Sequence, residues 1–165
     1  MMKKIRFGVV GTNNITDWVI AGARQDERFE LVAVCSRTQE RADEFASKHD
    51  IPHTFTSLEE MAKSPLIDAV YIATPNYVHA EQSILCMRHG KHVLCEKPFA
   101  SNAREVRQMI EAAQKYGVTL MEAMISTLNP TFAIVKEHLK DLGTLRRYFA
   151  SYCQYSSRYD KFKEG

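Results

Sequence analysis

Short apolar runs alternate with longer stretches of helical spacing through the first 120 residues. Five runs are too brief for helices and too continuous for half-exposed antiparallel strands, so each predicts a buried strand. They cover residues 5–10, 31–35, 69–73, 92–95 and 118–121. The order of the runs predicts strands separated by helices over most of the chain.

Between these runs, apolar residues recur at the spacing of one helix face. After the first strand this spacing includes Trp18, which we therefore expect in the core. Further helices are predicted over residues 39–48, over residues 77–89 with a stop at Gly90, and from a Ser101 cap to Gly117.

Strands that alternate with helices imply βαβ units, and right-handed crossovers between such units imply a parallel sheet covered on both faces. The fold class predicted is a doubly wound α/β sheet. Ligands bind such sheets beyond the carboxyl ends of the strands. The segments to inspect for chemistry are residues 11–14, 36–37, 74–76, 96–98 and 122–123.

The last forty residues follow another pattern. Asn129 and Pro130 open a helix, and a stretch rich in Tyr, Phe and Thr then predicts a strand over residues 143–157. No later segment of the sequence offers this strand a partner, and an unpaired strand of that length promotes association. We expect either that another subunit covers it, forming a homo-oligomer, or that sequence is missing.

Composition narrows the class of protein. Hydrophobic residues at 45% and charged residues at 25% are typical of a globular domain, and 22 Lys and Arg against 20 Asp and Glu leave a formal charge of +2. This balance predicts neither nucleic acid nor an anionic membrane as partner. The N-terminal apolar run ends at Gly11 and is too short for a signal peptide or a membrane helix, so we expect a cytoplasmic protein.

Cysteine and histidine residues lack the spacing of metal ligands, and no metal site is predicted. The cysteines form no C-x-x-C pair, and three of them, Cys35, Cys86 and Cys95, lie within apolar runs. We expect these three to be small buried side chains.

The first strand runs into the turn GVVGTNNIT. A dinucleotide fingerprint needs glycines for a tight turn, for close approach of the pyrophosphate and for helix packing. Gly11 meets the first need, whereas Asn13 and Thr16 stand at the other two positions. Asn tolerates left-handed backbone well, and a helix N-terminus offers free N–H groups to phosphate. The loop by itself is equally compatible with a plain strand–helix turn capped by Asn.

The second strand ends at Ser36 and Arg37, without the carboxylate that usually binds the ribose of NAD. A carboxylate would repel the 2′-phosphate of NADP, whereas Arg37 can donate bidentate bonds to it, with Arg41 one helical turn further on. The alternative is that Arg37 is a solvated surface cation.

Glu96, Lys97 and Pro98 follow the strand over residues 92–95. A lysine there would face the nicotinamide end of a cofactor and could act as the acid and base for a carbonyl that gains or loses hydride. Pro98 restricts the backbone of Lys97 and so directs its side chain. On composition, a plain polar turn is the simpler interpretation.

The motifs YIATPNYVHAEQSI, GKHVLCEKP and YGVTLMEAM occur in that order. Together they resemble the glucose-fructose oxidoreductase, inositol dehydrogenase and MocA family of NAD(P)-dependent oxidoreductases. EKPFA and LMEAM are most similar to the branch of dihydrodiol and xylose dehydrogenases. The resemblance runs from about Lys3 to the end of the chain.

The resemblance implies a role for each matching residue. It assigns the pyrophosphate to Gly11, Thr12, Asn13, Asn14 and Ile15, and the adenosine ribose or its phosphate to Ser36 and Arg37. It places Ala73, Thr74, Asn76 and His79 beside the cofactor, Glu96 and Lys97 near the nicotinamide, and Glu122 and Ala123 beneath the ring. Lys97 corresponds to the family's catalytic lysine.

The resemblance also implies a domain organisation and an activity. Residues 1–122 would form a dinucleotide-binding Rossmann domain, and residues 123–165 would begin a truncated substrate and dimerisation domain of α+β type. The family's G-G-x-x-x-D-x-G-x-H stretch has no counterpart. We expect an oxidoreductase that prefers NADP, with NAD as the alternative, and acts on a carbonyl or secondary alcohol of a sugar or diol. The alternatives are a non-catalytic dinucleotide-binding module and, more weakly, a self-associating interaction protein.

Overall fold

The chain divides into two units, Met1–Met124 and Ile125–Gly165. The structure is a computed structural model that describes residues 3–156 and 159–164. In that described part, no helix is long and apolar enough to cross a membrane.

The first unit is built on a sheet of six parallel strands. The strands are β1 Ile5–Val10, β2 Phe29–Cys35, β3 His53–Phe55, β4 Ala69–Ile72, β5 His92–Glu96 and β6 Leu120–Ala123. Their spatial order is β3-β2-β1-β4-β5-β6, so the chain reverses its direction across the sheet between β1 and β4. The predicted doubly wound α/β class is confirmed, and a sheet of this order opens a crevice at the reversal.

Helices connect the strands and cover both faces of the sheet. Those of the first unit are α1 Asn14–Ala23, α2 Gln39–His49, α3 Leu58–Lys63, α4 His79–Arg88 and α5 Ala103–Tyr116. A 3₁₀ turn, Asn76–Val78, leads into α4. Strand β3 and helix α3 are absent from the sequence prediction, because three and six residues are too few to establish a period.

Two apolar clusters, one on each face of the sheet, form the core. One contains Val70, Ile72 and Met109, and the other contains Val9, Val34 and Tyr71. Alternate residues of a strand point to opposite faces, which is why β4 contributes to both clusters and is buried throughout. The prediction for the three cysteines in apolar runs is confirmed, since all three are buried.

Trp18 does not lie in the core, contrary to the sequence prediction. Its side chain is 71% exposed, whereas Thr16 and Ile20 of the same helix are fully buried. Successive helical residues are 100° apart, so Trp18 lies about 200° from both and faces solvent. The helix packs on the sheet along a narrower stripe than its apolar residues suggested.

The N-cap of α5 is Asn102 rather than Ser101. The Asn102 side chain accepts a hydrogen bond from the backbone N–H of Glu105, at 3.0 Å. Ser101 contributes its backbone N–H instead, which donates to the Glu105 carboxylate. Both residues are common caps, and the one with extended backbone next to the first helical turn takes the role.

The second unit contains α6 Pro130–His138 and α7 Tyr159–Glu164, with 3₁₀ turns at Ile125–Leu128 and Leu139–Leu142. The predicted strand over residues 143–157 is wrong for the described residues, because 143–156 form neither strand nor helix. Ser157 lies outside the described residues. A strand requires backbone partners on a neighbouring strand, and the described residues provide none for this segment. Self-association through the segment after Gly143 stays a prediction.

Candidate functional site

A cleft of about 370 Å³ opens at the carboxyl ends of β1, β2 and β4, where the strand order reverses. Eight predicted site residues line it: Gly11, Thr12, Asn13, Ser36, Arg37, Arg41, Ala73 and Thr74. Its remaining lining is Val10, Cys35, Thr56, Leu58, Pro75, Tyr77, Val78 and Gln82. The cleft lies wholly within the first unit.

Gly11 has the backbone conformation that the glycine-rich turn requires. Its φ is +104°, and a Cβ at this position would lie 2.5 Å from the carbonyl oxygen of Ala73. A side chain would therefore overlap the backbone that follows β4, in a conformation L-residues rarely adopt. Position 11 requires glycine because the loops after β1 and β4 approach each other so closely there.

Asn13 closes the turn with its side chain and has ordinary extended backbone, with φ at −105°. The left-handed conformation considered for it is therefore not used. Its Oδ1 accepts the backbone N–H of Ile15 and of Thr16, while its Nδ2 donates to the Ala73 carbonyl at 2.7 Å. Asn13 thus caps α1 and joins the loops after β1 and β4.

Thr16, at the third glycine position, is fully buried, and its hydroxyl donates to the Gly11 carbonyl at 2.9 Å. The two departures from the glycine fingerprint therefore supply hydrogen bonds that hold the turn. The fingerprint describes both positions only by the backbone conformation and space that they need. These side-chain hydrogen bonds could therefore not be predicted from it.

Several backbone N–H groups of the turn have no hydrogen-bond partner in the described part of the chain. Within the described residues, those of Thr12, Asn13 and Asn14 form no hydrogen bond, whereas the Ile15 N–H is taken by Asn13. Together with the positive end of the α1 dipole, these groups suit a phosphate. Of this predicted set, Asn14 and Ile15 do not line the cleft.

Arg37 and Arg41 provide the positive charge at the β2 side of the cleft. Both are exposed, and no ion pair engages either guanidinium among the residues that the structure describes. Ser36 lies between them and β2, with its N–H bound to the carbonyl of Phe55. This side of the cleft can therefore receive an anionic group without displacing a carboxylate.

The loop after β4 forms the opposite wall. The Thr74 hydroxyl donates to Gln82 Oε1 at 2.6 Å, and the ring of Tyr77 is 76% exposed at the cleft. Tyr77 is a lining residue that sequence reasoning missed, although an aromatic side chain directly after the A-T-P-N turn was an available signal. Asn76 is exposed and does not line the cleft.

His79 is fully buried and lies between two loops. Its Nδ1 is 2.9 Å from the Pro98 carbonyl oxygen, and its Nε2 is 2.8 Å from that of Thr74. The imidazole connects the cleft wall to the turn after β5. Its contacts are therefore with backbone and not with the cleft itself.

The turn over residues 97–99, named here the lysine turn, lies outside the cleft lining. Lys97 is exposed, and the bond from Lys97 to Pro98 is cis. Glu96 is only 8% exposed and accepts a 2.7 Å hydrogen bond from the Tyr71 hydroxyl. Glu122 accepts the backbone N–H of Phe99 at 3.0 Å.

Ala123 pairs with Glu96 in the register of β5 and β6 and packs against the core. The predicted nicotinamide residues are thus neighbours on two adjacent strands and the following turn. Which predicted residues touch a cofactor remains a prediction. The residues that the structure describes contain no group of three or more side chains suited to hold a metal ion.

Comparison with protein families decides the relationship. A family model described as an oxidoreductase family with an NAD-binding Rossmann fold matches residues 5–124. The chain belongs to this family. The resemblance drawn from the EKP and neighbouring motifs is therefore confirmed.

Curated relatives match nearly the whole chain. It is 58% identical over 161 residues to a scyllo-inositol 2-dehydrogenase (NADP(+)) of Bacillus subtilis. This match covers 98% of this chain and 49% of the relative. It is 39% identical to a trans-1,2-dihydrobenzene-1,2-diol dehydrogenase of Xenopus laevis, over 86% of this chain and 44% of the relative. The chain spans about half the length of the curated relatives it matches.

Solved structures share the fold. The WlbA dehydrogenase of Bordetella pertussis, in complex with NADH and UDP-GlcNAcA, superposes with a TM-score of 0.78 at 31% identity. That match covers 84% of this chain and 42% of the other. A 3-ketoreductase of Actinomadura kijaniata in complex with NADP and TDP-benzene gives a TM-score of 0.78 at 28% identity, over 84% of this chain and 43% of that one.

Proposed function

We propose that the chain binds NADP(H) in the cleft and forms the cofactor-binding half of an oxidoreductase. The reaction proposed moves a hydride between the cofactor and a carbonyl or secondary alcohol of a sugar or diol. The observation that supports it most is the cleft at the strand reversal, with open N–H groups at one end and unpaired arginines at the other. When bound, the nicotinamide supplies or accepts the hydride.

The pyrophosphate is proposed to lie over the turn from Gly11 to Asn14. The glycine allows the close contact of the β1 and β4 loops, and the N–H groups of residues 12–14, which have no hydrogen-bond partner among the described residues, are available as donors to the anion. Asn13 contributes through the shape of the turn, because its side chain is committed to the cap and to Ala73.

NADP is proposed as the preferred cofactor and NAD as the alternative. Ser36, Arg37 and Arg41 would surround the 2′-phosphate, and neither position 36 nor 37 carries a carboxylate that would repel it. The name of the Bacillus subtilis relative includes NADP(+), which agrees with this preference.

Lys97 is proposed as the acid and base at the substrate oxygen. Its side chain is exposed at the carboxyl end of β5, and within the described residues no carboxylate pairs with its ammonium group. A proton held there can be donated when the carbonyl gains hydride and taken back in the reverse direction. Glu96 and Glu122 are proposed to support the turn that carries it.

A non-catalytic dinucleotide-binding module is the second candidate. All lining residues of the cleft belong to the unit Met1–Met124, so binding in the cleft requires no residue of the second unit. In this case NADPH would bind, and no member of a panel of sugar and diol carbonyls would oxidise it.

A fluorescence titration of the chain with NADPH tests the binding proposal. We expect saturable binding, and the single tryptophan, Trp18 on α1, can report it by energy transfer. Gly11→Ala should abolish measurable binding, since its Cβ would force the β1 and β4 loops apart. Gly22→Ala is the matched control, because beyond its chain neighbours and the backbone of its own helix no atom of the described residues lies within 4 Å of the added Cβ. Failure of the wild-type chain to bind either NADPH or NADH would contradict both candidate functions.

A further inference from the structure

The backbone of the lysine turn is held by side chains from several elements. Glu96 Oε2 accepts the Lys97 N–H at 3.2 Å, His79 contacts the Pro98 carbonyl at 2.9 Å, and Glu122 accepts the Phe99 N–H at 3.0 Å. These three backbone groups of the turn are therefore each bound by a different side chain. These contacts hold the backbone from which the Lys97 side chain extends.

Glu96 depends on a residue buried deeper in the sheet. Tyr71 of β4 is 1% exposed, and its hydroxyl donates to Glu96 Oε1 at 2.7 Å. Tyr71 lies opposite Leu94 in the β4–β5 register, and Leu94 and Glu96 point to the same face of the sheet. The strand pairing therefore brings the phenol and the carboxylate together.

The Tyr71 hydroxyl is a permanent donor in this position. Burial first, and the neighbouring Glu96 carboxylate second, raise the pKa of Tyr71 well above its ordinary value. The hydroxyl therefore keeps its proton at neutral pH. A buried carboxylate needs such donors, because desolvation without a partner is unfavourable.

Lys97 is the nearest cation in sequence to Glu96, yet no ion pair joins them within the described part of the chain. Each oxygen of the carboxylate already accepts one hydrogen bond: Oε1 from the Tyr71 hydroxyl and Oε2 from the backbone N–H of Lys97. Without the phenol, Oε1 would lose its donor, and the ammonium of the adjacent residue, Lys97, is a cation that could replace it. That pairing would hold the amine protonated and away from a substrate oxygen.

We propose that Tyr71 is a positioning residue that keeps the Glu96 carboxylate from pairing with the Lys97 ammonium and so leaves that amine available. The proposal rests on the role of Lys97 given above and adds a residue from the interior of β4. Tyr71 acts through Glu96 and touches neither cofactor nor substrate.

Trace acetylation of the full 165-residue chain with acetic anhydride, read by peptide mass spectrometry, measures the availability of each lysine amine. In Tyr71→Phe, which removes only the hydroxyl, we expect the labelling rate of Lys97 to fall roughly threefold, the effect of an exposed ion pair. Lys115 and the other lysines should keep their rates. An unchanged or faster rate at Lys97 would overturn the proposal.

Two further variants separate this role from a structural one. In the double variant Tyr71→Phe/Glu96→Gln no carboxylate remains to pair with the amine, so the Lys97 rate should return to the wild-type value. Glu96→Gln by itself should leave that rate unchanged or raise it. A fall of the Lys97 rate in Glu96→Gln below the wild-type value would overturn the proposal, because no ion pair with residue 96 could then cause it, and this comparison with the wild type stands even if Tyr71→Phe fails to fold.

Tyr116→Phe is the matched control, because the described residues form no hydrogen bond with that hydroxyl and Tyr116 lies on α5. Its Lys97 rate should equal that of the wild type. NADPH titration of the same samples reports the proposed function separately. Wild-type chain that fails to bind NADPH would refute the proposed function, whereas the labelling comparison would still decide the role of Tyr71.

Discussion

At the scale of single residues, the cleft is specified by a few side chains whose partners are far away in sequence. Asn13 and Thr16 replace two glycines of the usual fingerprint and hold the turn through the Ala73 and Gly11 carbonyls. The sequence identifies the turn but not these bonds. A departure from a motif can therefore preserve its geometry by other contacts.

Arg37 is proposed to determine the preference for NADPH over NADH. Arg37→Ala should weaken the binding of NADPH by about 1.5–3 kcal/mol, the contribution of a hydrogen bond to a charged group. The affinity for NADH should change much less. Fluorescence titrations with both cofactors measure the difference. Arg104→Ala, an exposed arginine on α5, is the control and should alter neither affinity. Equal losses for both cofactors in Arg37→Ala would refute contact with the 2′-phosphate.

Lys97 carries the proposed proton transfer. In a catalytically competent form of the protein, Lys97→Met should lower kcat by about 10²–10⁴-fold, the contribution of a positioned acid–base group. The affinity for NADPH should change little, since Lys97 does not line the cleft. Lys115→Met, on the surface of α5, should keep full turnover. Unchanged turnover in Lys97→Met would show that the assigned role is wrong.

At the scale of elements, one ion pair links the β1 and β4 ends of the sheet, and another links two helices. Arg6 at the start of β1 forms a bidentate pair with Asp68, just before β4, at 2.7 and 2.9 Å, and its backbone N–H also donates to that carboxylate. Helix α1 is joined to α2 by Asp17, which binds His49 and Lys48. These contacts link elements that are distant in sequence.

The Arg6–Asp68 pair predicts a loss of stability in acid. The hydrogen bond from Arg6 holds the pKa of Asp68 well below its ordinary value. A depressed carboxyl pKa contributes stability above the unfolded value of about 3.9, and this contribution is lost as pH falls toward the folded value. The Tm of the wild-type chain should therefore decrease below about pH 4.

Asp68→Asn should lower the Tm at pH 7 and flatten its decline in acid, both measured by thermal melts from pH 7 to pH 2. Asp17 and Asp26 also have lowered pKa values, so part of the acid dependence should persist in the variant. Asp43→Asn, on the exposed face of α2, is the control and should reproduce the wild-type curve. An Asp68→Asn curve parallel to the wild type would contradict the role of the pair.

At the scale of the whole molecule, the two units differ in how much of their structure the sequence predicted. The first contains the sheet, the cleft and the family match to residues 5–124. In the second, the described side chains from 125 to 156 are all exposed, and the predicted strand is not formed. The chain spans about half the length of its curated relatives, and the activity of a whole enzyme is accordingly a proposal.

The sequence by itself determined the features that depend on neighbours along the chain. Short apolar runs placed five of the six strands, and the residues after them placed the cleft at Gly11, Ser36 and Thr74. Periodicity records which face of an element is apolar, and strand ends follow from where that pattern stops. The family motifs lie in these same segments.

The tertiary structure decided what depends on contacts between distant elements. It turned Trp18 to the surface, left residues 143–156 without a strand, and joined Tyr71 to Glu96. Each outcome depends on which backbone or side chain stands opposite. A one-dimensional pattern does not contain that information, because burial and hydrogen bonding are properties of pairs brought together by the fold.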